Sequence, residues 1–337
     1  MTDLPTPTEP VPAAIRIDSH LGDAQERSLA DDVLDGLTRP FKELPPKHFY
    51  DARGAELFDQ ICELPEYYPT RTERAILEQV ADEIVAQTGA GELVELGSGS
   101  ATKTRLLLDA MSRVGTLVRY IPVDVTESAV RESAAQLIEE YPGLVVEGLI
   151  GDFERHLDRL PPPRDRRIVA FLGGTIGNFT PGSRRRFLRT LGTLLGPEDH
   201  LLLGTDLVKD RAVLHAAYDD AAGVTAQFNL NILHVINLEL DGNFVADQFE
   251  HLALFDEHNQ WIEMRLRSRV AQTVELARIG LVVQFAEGEE MRTEISAKFT
   301  RERLQGDLAA AGLELVGWHT DPQDWFALSL ARRVRAN

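Results

Sequence analysis

The chain has 337 residues, a length that predicts about two domains, and its 54 acidic against 35 basic side chains leave a net charge of −19. So acidic a surface repels phosphate backbones and anionic lipid headgroups, which excludes nucleic acid and membranes as expected partners. With a single cysteine, Cys62, the chain cannot form an intramolecular disulfide or a cysteine-paired zinc site. No apolar run approaches the roughly 20 residues that span a bilayer, so a cytoplasmic protein is expected.

The first 70 residues combine a proline-rich start with an aromatic segment. Residues 1–16 are acidic and proline-rich, which predicts a disordered tail, and a helical pattern follows over about 22–37. The stretch 47–73 is unusually aromatic, which is typical either of a pocket wall or of a small core. Thr70 and Glu73 have the spacing of a capping box, which predicts the start of an amphipathic helix there.

Short apolar runs then alternate with amphipathic helical patterns. The predicted strands are 93–96, 117–123, 144–150, 168–172 and 201–203. Continuous apolar strands between such helices indicate a parallel sheet with helices on both faces. The expected fold class is therefore α/β with a Rossmann-like sheet.

The pattern changes after about residue 209. Two helical stretches precede the alternating segments 251–255 and 261–267, which are typical of an antiparallel hairpin. Helices and strands alternate again at the end of the chain, so the middle has the pattern of an insertion. We therefore expect a disordered tail and two interleaved domains, an α+β domain and an α/β domain. The predicted ranges are 1–16 for the tail, 17–70 with 209–298 for the first domain, and 71–208 with 299–333 for the second.

Polar residues follow three successive predicted strands. The run Leu93–Ser100 is a strand that leads into glycines and then a helix, but Thr102 stands where a dinucleotide fingerprint needs a third glycine. The looser turn favours S-adenosylmethionine (SAM), with Asp124 on the ribose hydroxyls and Asp152-Phe153 on the adenine. Alternatively, the glycine turn only connects strand to helix, and both aspartates are helix caps.

The fourth strand leads into Gly173-Gly174-Thr175-Ile176-Gly177-Asn178. Substrates of open α/β sheets lie beyond the carboxyl ends of the strands, so this run is expected to hold a small polar substrate beside the sulfonium. The same residues could equally form a turn and a helix cap.

Several unusual runs resemble the L-histidine Nα-methyltransferases of ergothioneine biosynthesis. The resemblance extends from about Pro45 to Phe299. The runs that carry it are PPKHFYDARGAELFDQICELPEYYPTRTE, VELGSGSATKTR, GDFE, FLGGTIGNFTP, LLLGTDLVKD, AYDDAAGVTAQFN and GEEMRTEISAKF. It implies a class I methyltransferase domain with a second, substrate-recognition domain formed by the N-terminal region and the insertion. Two departures are His48 in place of tryptophan and Gly174 in place of serine.

The resemblance also implies the site residues. The expected SAM contacts are Tyr50, Gly97, Lys103, Asp124, Asp152 and Phe153. The expected histidine contacts are Tyr67, Asn178, Tyr218, Met264, Glu294 and Ser296. Asn178 and Tyr218 suit a carboxylate, whereas Glu294 and Ser296 can bond the two imidazole nitrogens. Without the resemblance, Glu294 would be interpreted as a solvated strand residue.

The predicted reaction is the SAM-dependent trimethylation of free L-histidine to hercynine by a monomeric enzyme without a metal. The attacking amine loses its proton either to Tyr67 or to water held near Gly173 and Thr175, since the sequence identifies no single base. The alternatives are a methyltransferase for another amino acid, an imidazole metabolite or a protein side chain, and a non-catalytic SAM-binding regulator. The nine histidines lack a metal-ligand spacing such as HExxH.

Overall fold

The computed structural model describes residues 14–20, 28–99 and 101–334, which form two compact units. The first unit contains 14–20 and 82–170, and the second contains 28–81 and 171–334. Most of the predicted tail and the first turns of the helix predicted over 22–37 lie outside the described residues. The predicted division into two interleaved domains stays a prediction.

The first unit is built on parallel strands. Its strands are β1 (Ile15–Ser19), β3 (Glu92–Leu96), β4 (Arg119–Asp124), β5 (Val145–Ile150) and β6 (Arg167–Phe171). They are hydrogen-bonded in the order β1-β5-β4-β3-β6, and each pair is parallel. The helices are α4 (Thr104–Val114) and α5 (Glu127–Glu140), together with the end of α3 (Pro69–Thr88). The predicted α/β class is confirmed, whereas β1 was not predicted.

The central strands of this unit are buried, as their continuous apolar pattern predicts. All five residues of β3 are buried. At the start of β3, the buried Glu92 carboxylate accepts hydrogen bonds from Arg119 at 2.6 Å and Arg167 at 2.8 Å. These two arginines compensate the buried charge of Glu92. They lie at the amino ends of the strands, whereas ligands of such sheets bind at the carboxyl ends.

The second unit contains the remaining strands and most of the helices. Its strands are β2 (Lys42–Glu43), β7 (His200–Asp206), β8 (Phe249–Asp256), β9 (Trp261–Ser268), β10 (Gln272–Leu276), β11 (Leu281–Phe285), β12 (Glu290–Ala297), β13 (Leu313–Thr320) and β14 (Phe326–Arg333). Its helices are α1 (Leu29–Leu37), α2 (Ala52–Glu63), the start of α3, α6 (Pro181–Leu194), α7 (Arg211–Tyr218), α8 (Val224–Leu240) and α9 (Arg301–Ala309).

Antiparallel pairing dominates this unit. The order β2-β12-β9-β8 forms a four-stranded sheet, β10 pairs with β11, and β7 pairs with β14 next to β13. The predicted hairpin between residues 251 and 267 is confirmed as β8 and β9. The core packs α8 against α2 and the four-stranded sheet, with Ile232 and Ile236 fully buried.

The predicted capping box at Thr70 is wrong. Helix α3 begins at Pro69, so Thr70 lies inside its first turn. Proline suits this position because it has no N–H that would need a partner there. The Glu73 carboxylate instead accepts the backbone N–H of Gly173, which lies 2.8 Å from Oε1. In the described part of the chain, no helix is both long and apolar enough to cross a membrane.

Candidate active site

The glycine turn after β3 lies beside Asp124. Gly97 and Gly99 have φ values of +73° and +48°, in the left-handed region that favours glycine. The Asp124 carboxylate follows β4 and accepts the N–H of Gly99 at 2.9 Å through one oxygen. Its other oxygen accepts the N–H of Thr126 at 2.9 Å. The turn and the predicted ribose ligand are therefore one hydrogen-bonded assembly.

The other predicted SAM residues of the first unit lie near the same ends of the strands. A Cβ added to Gly97 would lie 3.7 Å from the Phe153 ring, so this ring packs beside the turn. Asp152 follows β5 and accepts the N–H of Glu154 at 2.8 Å. Lys103 immediately precedes α4 and is half-buried. The structure thus brings together carboxylates, an aromatic ring and a cation where the sequence predicts them.

These residues fit a nucleoside with a methionyl group. The space beside Gly99 is open, because a Cβ there would contact nothing within 4 Å. Lone pairs on the Asp124 oxygens remain available for ribose hydroxyls. Glu95 has a different role, since it is buried and its carboxylate accepts a hydrogen bond of 2.6 Å from the Tyr120 hydroxyl. Burial raises the pKa of Glu95 to about 7.

The second unit contains a buried pair of hydroxyl groups that belong to two of the predicted histidine contacts. Tyr218 ends α7, and its hydroxyl donates to Ser296 Oγ at 2.7 Å. Both side chains also contact Lys298, whose Nζ lies 2.9 Å from each oxygen. The two predicted histidine ligands are therefore in direct contact with each other. Lys298 is the third residue of this hydrogen-bonded cluster, and the sequence analysis did not predict it.

Glu294 and Met264 lie opposite each other on β12 and β9. A bulge at Thr293 shifts the register between Arg292 and Glu294. Beyond that bulge, Glu294, Ser296 and Lys298 alternate along the chain and share one face. Among the described residues, the Glu294 carboxylate has no hydrogen-bond donor, and burial raises its pKa to about 7 although the charge of Lys298 opposes that rise. A half-buried carboxylate without a donor from the described residues is suited to a ligand that brings an N–H.

Aromatic rings connect the predicted residues Tyr50 and Tyr67 to this cluster. The Tyr67 ring packs edge-on against Tyr218 at 6.4 Å between centroids, and Phe58 lies between Tyr67 and Tyr50. Tyr50 belongs to the second unit and its side chain is 47% exposed. Burial raises the pKa of Tyr67 well above its ordinary value. Tyr67 is therefore a protonated phenol at neutral pH, which argues against its acting as a base.

Asn178 lies at the end of a 3-10 turn, Thr175–Asn178, that packs against β12. A Cβ added to Gly177 would lie 2.9 Å from the Ala297 carbonyl oxygen and 3.5 Å from Ser296 Oγ. This close approach brings Gly177, the residue before Asn178, against Ser296 of the hydroxyl pair. The Thr175 hydroxyl is used inside the turn, where it donates to the Leu172 carbonyl at 3.1 Å.

We expect Gly177→Ala to lower the free energy of unfolding by about 1–3 kcal/mol, because the added methyl group clashes with the β12 backbone. It should also weaken histidine binding by displacing Asn178. Gly182→Ala is the matched control, since its Cβ would meet only the end of the Arg186 side chain at 3.7 Å. Urea unfolding of both variants measures the difference. Equal stabilities would show that the turn does not need its close approach to β12.

Comparisons with known proteins agree with this geometry. The sequence model of the family described as "Histidine-specific methyltransferase, SAM-dependent" matches residues 29–333. This chain belongs to that family. The chain is 54% identical over 311 residues to the histidine N-alpha-methyltransferase of Mycolicibacterium smegmatis, which covers 92% of this chain and 97% of the relative. Identity to the protein of the same name from Mycobacterium tuberculosis is 49% over 320 residues, which covers 95% and 99%.

A more distant relative is named for a pathway. The Neurospora crassa "Ergothioneine biosynthesis protein 1" is 30% identical over 283 residues, which is 82% of this chain but 31% of that longer protein. The family is SAM-dependent, so SAM is the methyl donor and the fold is that of a methyltransferase. No group of three or more potential metal ligands occurs among residues 14–20, 28–99 and 101–334.

The two departures from the family pattern have local explanations. Gly174 has a φ of +70°, a conformation in which glycine is unstrained and serine is not. His48 Nε2 lies 2.9 Å from Asp32 Oδ2, so the imidazole has a buried carboxylate as its partner.

Sequence reasoning missed Lys298 and Asp206, and it assigned Glu73 to a capping box. The alternation of Glu294, Ser296 and Lys298 was the available signal for Lys298. The sequence contains no such signal for the contacts of Asp206 and Glu73, because their partners are distant along the chain. Asp206 pairs at 2.7 Å with Lys298, which lies 92 residues away, and Glu73 bonds to Gly173, which lies 100 residues away.

Proposed function

We propose that the protein transfers three methyl groups from SAM to the α-amine of free L-histidine, which yields Nα,Nα,Nα-trimethylhistidine (hercynine), a step of ergothioneine biosynthesis. The observation that carries the proposal is Glu294, a half-buried carboxylate that has no hydrogen-bond donor among the described residues and shares a strand face with Ser296. An imidazole can supply the missing N–H to Glu294 and meet the Ser296 hydroxyl with its other nitrogen. Membership of the histidine-specific family supports the same ligand.

The proposed division of labour follows the two units. Gly97, Lys103, Asp124, Asp152 and Phe153 of the first unit hold SAM. Asn178 orients the histidine carboxylate, while Glu294, Ser296 and Met264 form the imidazole pocket, in which Tyr218 supports Ser296 through a hydrogen bond instead of donating to the carboxylate as predicted. This pocket rejects apolar amino acids, because such side chains would cover the half-buried Glu294 carboxylate and leave it unpaired.

The chemistry depends on positioning more than on acid–base catalysis. Bound SAM supplies a methyl group on a positively charged sulfur. The neutral amine nitrogen forms a bond to that carbon as the carbon–sulfur bond breaks, and the product nitrogen must lose a proton before the next round. We propose that this proton passes to water near Gly173 and Thr175, since Tyr67 is already protonated. After the third transfer no N–H remains, which ends the series.

We place this reaction in the cytoplasm and propose that the enzyme works as a monomer. A single cysteine is consistent with a reducing compartment. A net charge of −19 opposes association with nucleic acid.

Mass spectrometry of the purified protein incubated with SAM and histidine tests the proposal. The expected product carries three added methyl groups on the α-nitrogen. Isothermal titration against the common amino acids checks specificity, and binding should be confined to histidine. Methylation of another amino acid, or SAM binding without any methyl transfer, would contradict the proposal.

A further inference from the structure

Lys298 is a buried cation whose three N–H donors all have acceptors. Its ammonium lies 2.7 Å from Asp206 Oδ2, 2.9 Å from the Tyr218 hydroxyl and 2.9 Å from Ser296 Oγ. Its side chain is fully buried. Burial lowers the pKa of Lys298, but the charge interactions and hydrogen bonds with Asp206 and Tyr218 together outweigh burial and raise that pKa. The side chain is therefore a fixed ammonium with no donor left over.

Asp206 is itself held in place from the other side. Its carboxylate accepts the Tyr68 hydroxyl at 2.9–3.0 Å and pairs with Lys209. Lys209 also donates to the Tyr68 hydroxyl at 2.7 Å. These contacts fix the Asp206 carboxylate, and through it the position of Lys298.

The ammonium decides how the two hydroxyl groups are oriented. Because an ammonium only donates, the oxygens of Tyr218 and Ser296 must both accept from it. The phenol is the stronger hydrogen-bond acid, so Tyr218 donates to Ser296 across their 2.7 Å contact. Ser296 Oγ then accepts two hydrogen bonds, and its own proton is left for a further acceptor.

We infer that Lys298 is a positioning residue that fixes Ser296 as a hydrogen-bond donor, so that the pocket takes the neutral imidazole in a single tautomer. The inference rests on the proposed function. One ring nitrogen gives its N–H to Glu294, and the other, without a proton, accepts from Ser296. An imidazolium would place an N–H against an oxygen whose lone pairs are already occupied. Lys298 thereby selects the protonation state of the substrate without touching it.

A double-mutant cycle on histidine affinity tests the coupling. Lys298→Met should raise the Kd for histidine about tenfold, because Ser296 and Tyr218 lose the donor that orients them. In a Ser296→Ala background, the same change should have an effect of roughly twofold or less, because the oriented group is absent. An equal effect in both backgrounds would overturn the inference.

Arg184→Met is the matched control. It removes another buried cation of the second unit, one whose partner is Asp307 at 2.7 Å and not the hydroxyl pair. Its Kd for histidine should stay within about threefold of the wild-type value. A loss as large as that of Lys298→Met would assign the effect to general disruption and overturn the inference.

A measurement on the unmodified protein tests the inferred tautomer of the bound imidazole even if Lys298→Met does not fold. Histidine labelled with nitrogen-15 in the ring is bound in the presence of S-adenosylhomocysteine, and its nitrogen chemical shifts are recorded near neutral pH. We expect one protonated and one unprotonated ring nitrogen in slow exchange with free histidine. A bound ring protonated on both nitrogens would overturn the inference while leaving the proposed function intact. Absence of any histidine binding by the unmodified protein would refute the proposed function itself.

Discussion

Glu294→Ala weakens histidine binding by an expected 10- to 150-fold, because it removes a hydrogen bond to a charged acceptor worth about 1.5–3 kcal/mol. The loss should appear in the KM for histidine and leave the Kd for SAM unchanged. Glu294→Gln retains an acceptor oxygen without the charge, so its effect should be intermediate. Calorimetric titration with each ligand separates the two affinities.

The control for this variant is Glu287→Ala. It removes the same charge from an exposed position seven residues earlier in the same unit. Histidine affinity should be unaffected by the control. If both variants bind histidine equally well, the imidazole pocket has been assigned to the wrong residue.

The Glu294 carboxylate is expected to make histidine affinity depend on pH. Because the pKa of Glu294 is raised to about 7, the carboxyl group is largely protonated at pH 6 and ionised at pH 8. Only the ionised form accepts the imidazole N–H with its full strength, so histidine affinity should rise with pH through this window. Glu294→Gln should reduce the rise to the part that comes from deprotonation of the ligand's own imidazole, whose ordinary pKa is about 6.5. Trimethylhistidine is the suitable ligand, because its α-nitrogen does not titrate.

Asp124→Ala abolishes most SAM affinity, with an expected increase in Kd of roughly 100-fold. The change removes the proposed ribose contact and also releases the N–H groups of Gly99 and Thr126 that shape the turn. Asp124→Asn retains one acceptor oxygen and should lose less. Calorimetric titration with SAM measures the effect, while the Kd for histidine reports on the second unit.

Asp158→Ala is the corresponding control in the first unit. Its side chain is 72% exposed and has only a long contact of 3.7 Å with Arg159. Surface pairs of this kind contribute little, so SAM affinity should be retained. Unchanged SAM binding by Asp124→Ala would mean that the glycine turn forms and holds its ligand without this carboxylate.

Local patterns predicted most elements of this fold because they are set by neighbouring residues. Helix α6 begins where Thr180 and Pro181 predict it, and the Thr180 hydroxyl accepts the N–H of Ser183. The strand before the glycine turn is apolar and is buried as expected. The failures occur where a distant partner competes: Glu73 bonds to Gly173 instead of capping α3.

For the candidate site, too, the sequence predicted residues, and only the structure showed their contacts. The residue types at the strand ends and the family runs predicted the SAM and histidine residues from the sequence alone, since family resemblance preserves order along the chain. The sequence could not show that Tyr218 and Ser296, 78 residues apart, share a hydrogen bond, or that Lys298 donates to both.

The sequence by itself determined the fold class and the family, and it predicted the site residues, because apolar periodicity and unusual motifs are local properties. The tertiary structure alone decided the protonation of the site. Burial without a donor raises the pKa of Glu294, and the Asp206–Lys298 pair directs the hydroxyl protons of Tyr218 and Ser296. Both effects depend on which charges and dipoles are brought within hydrogen-bond distance, and folding brings them there from segments far apart in the chain.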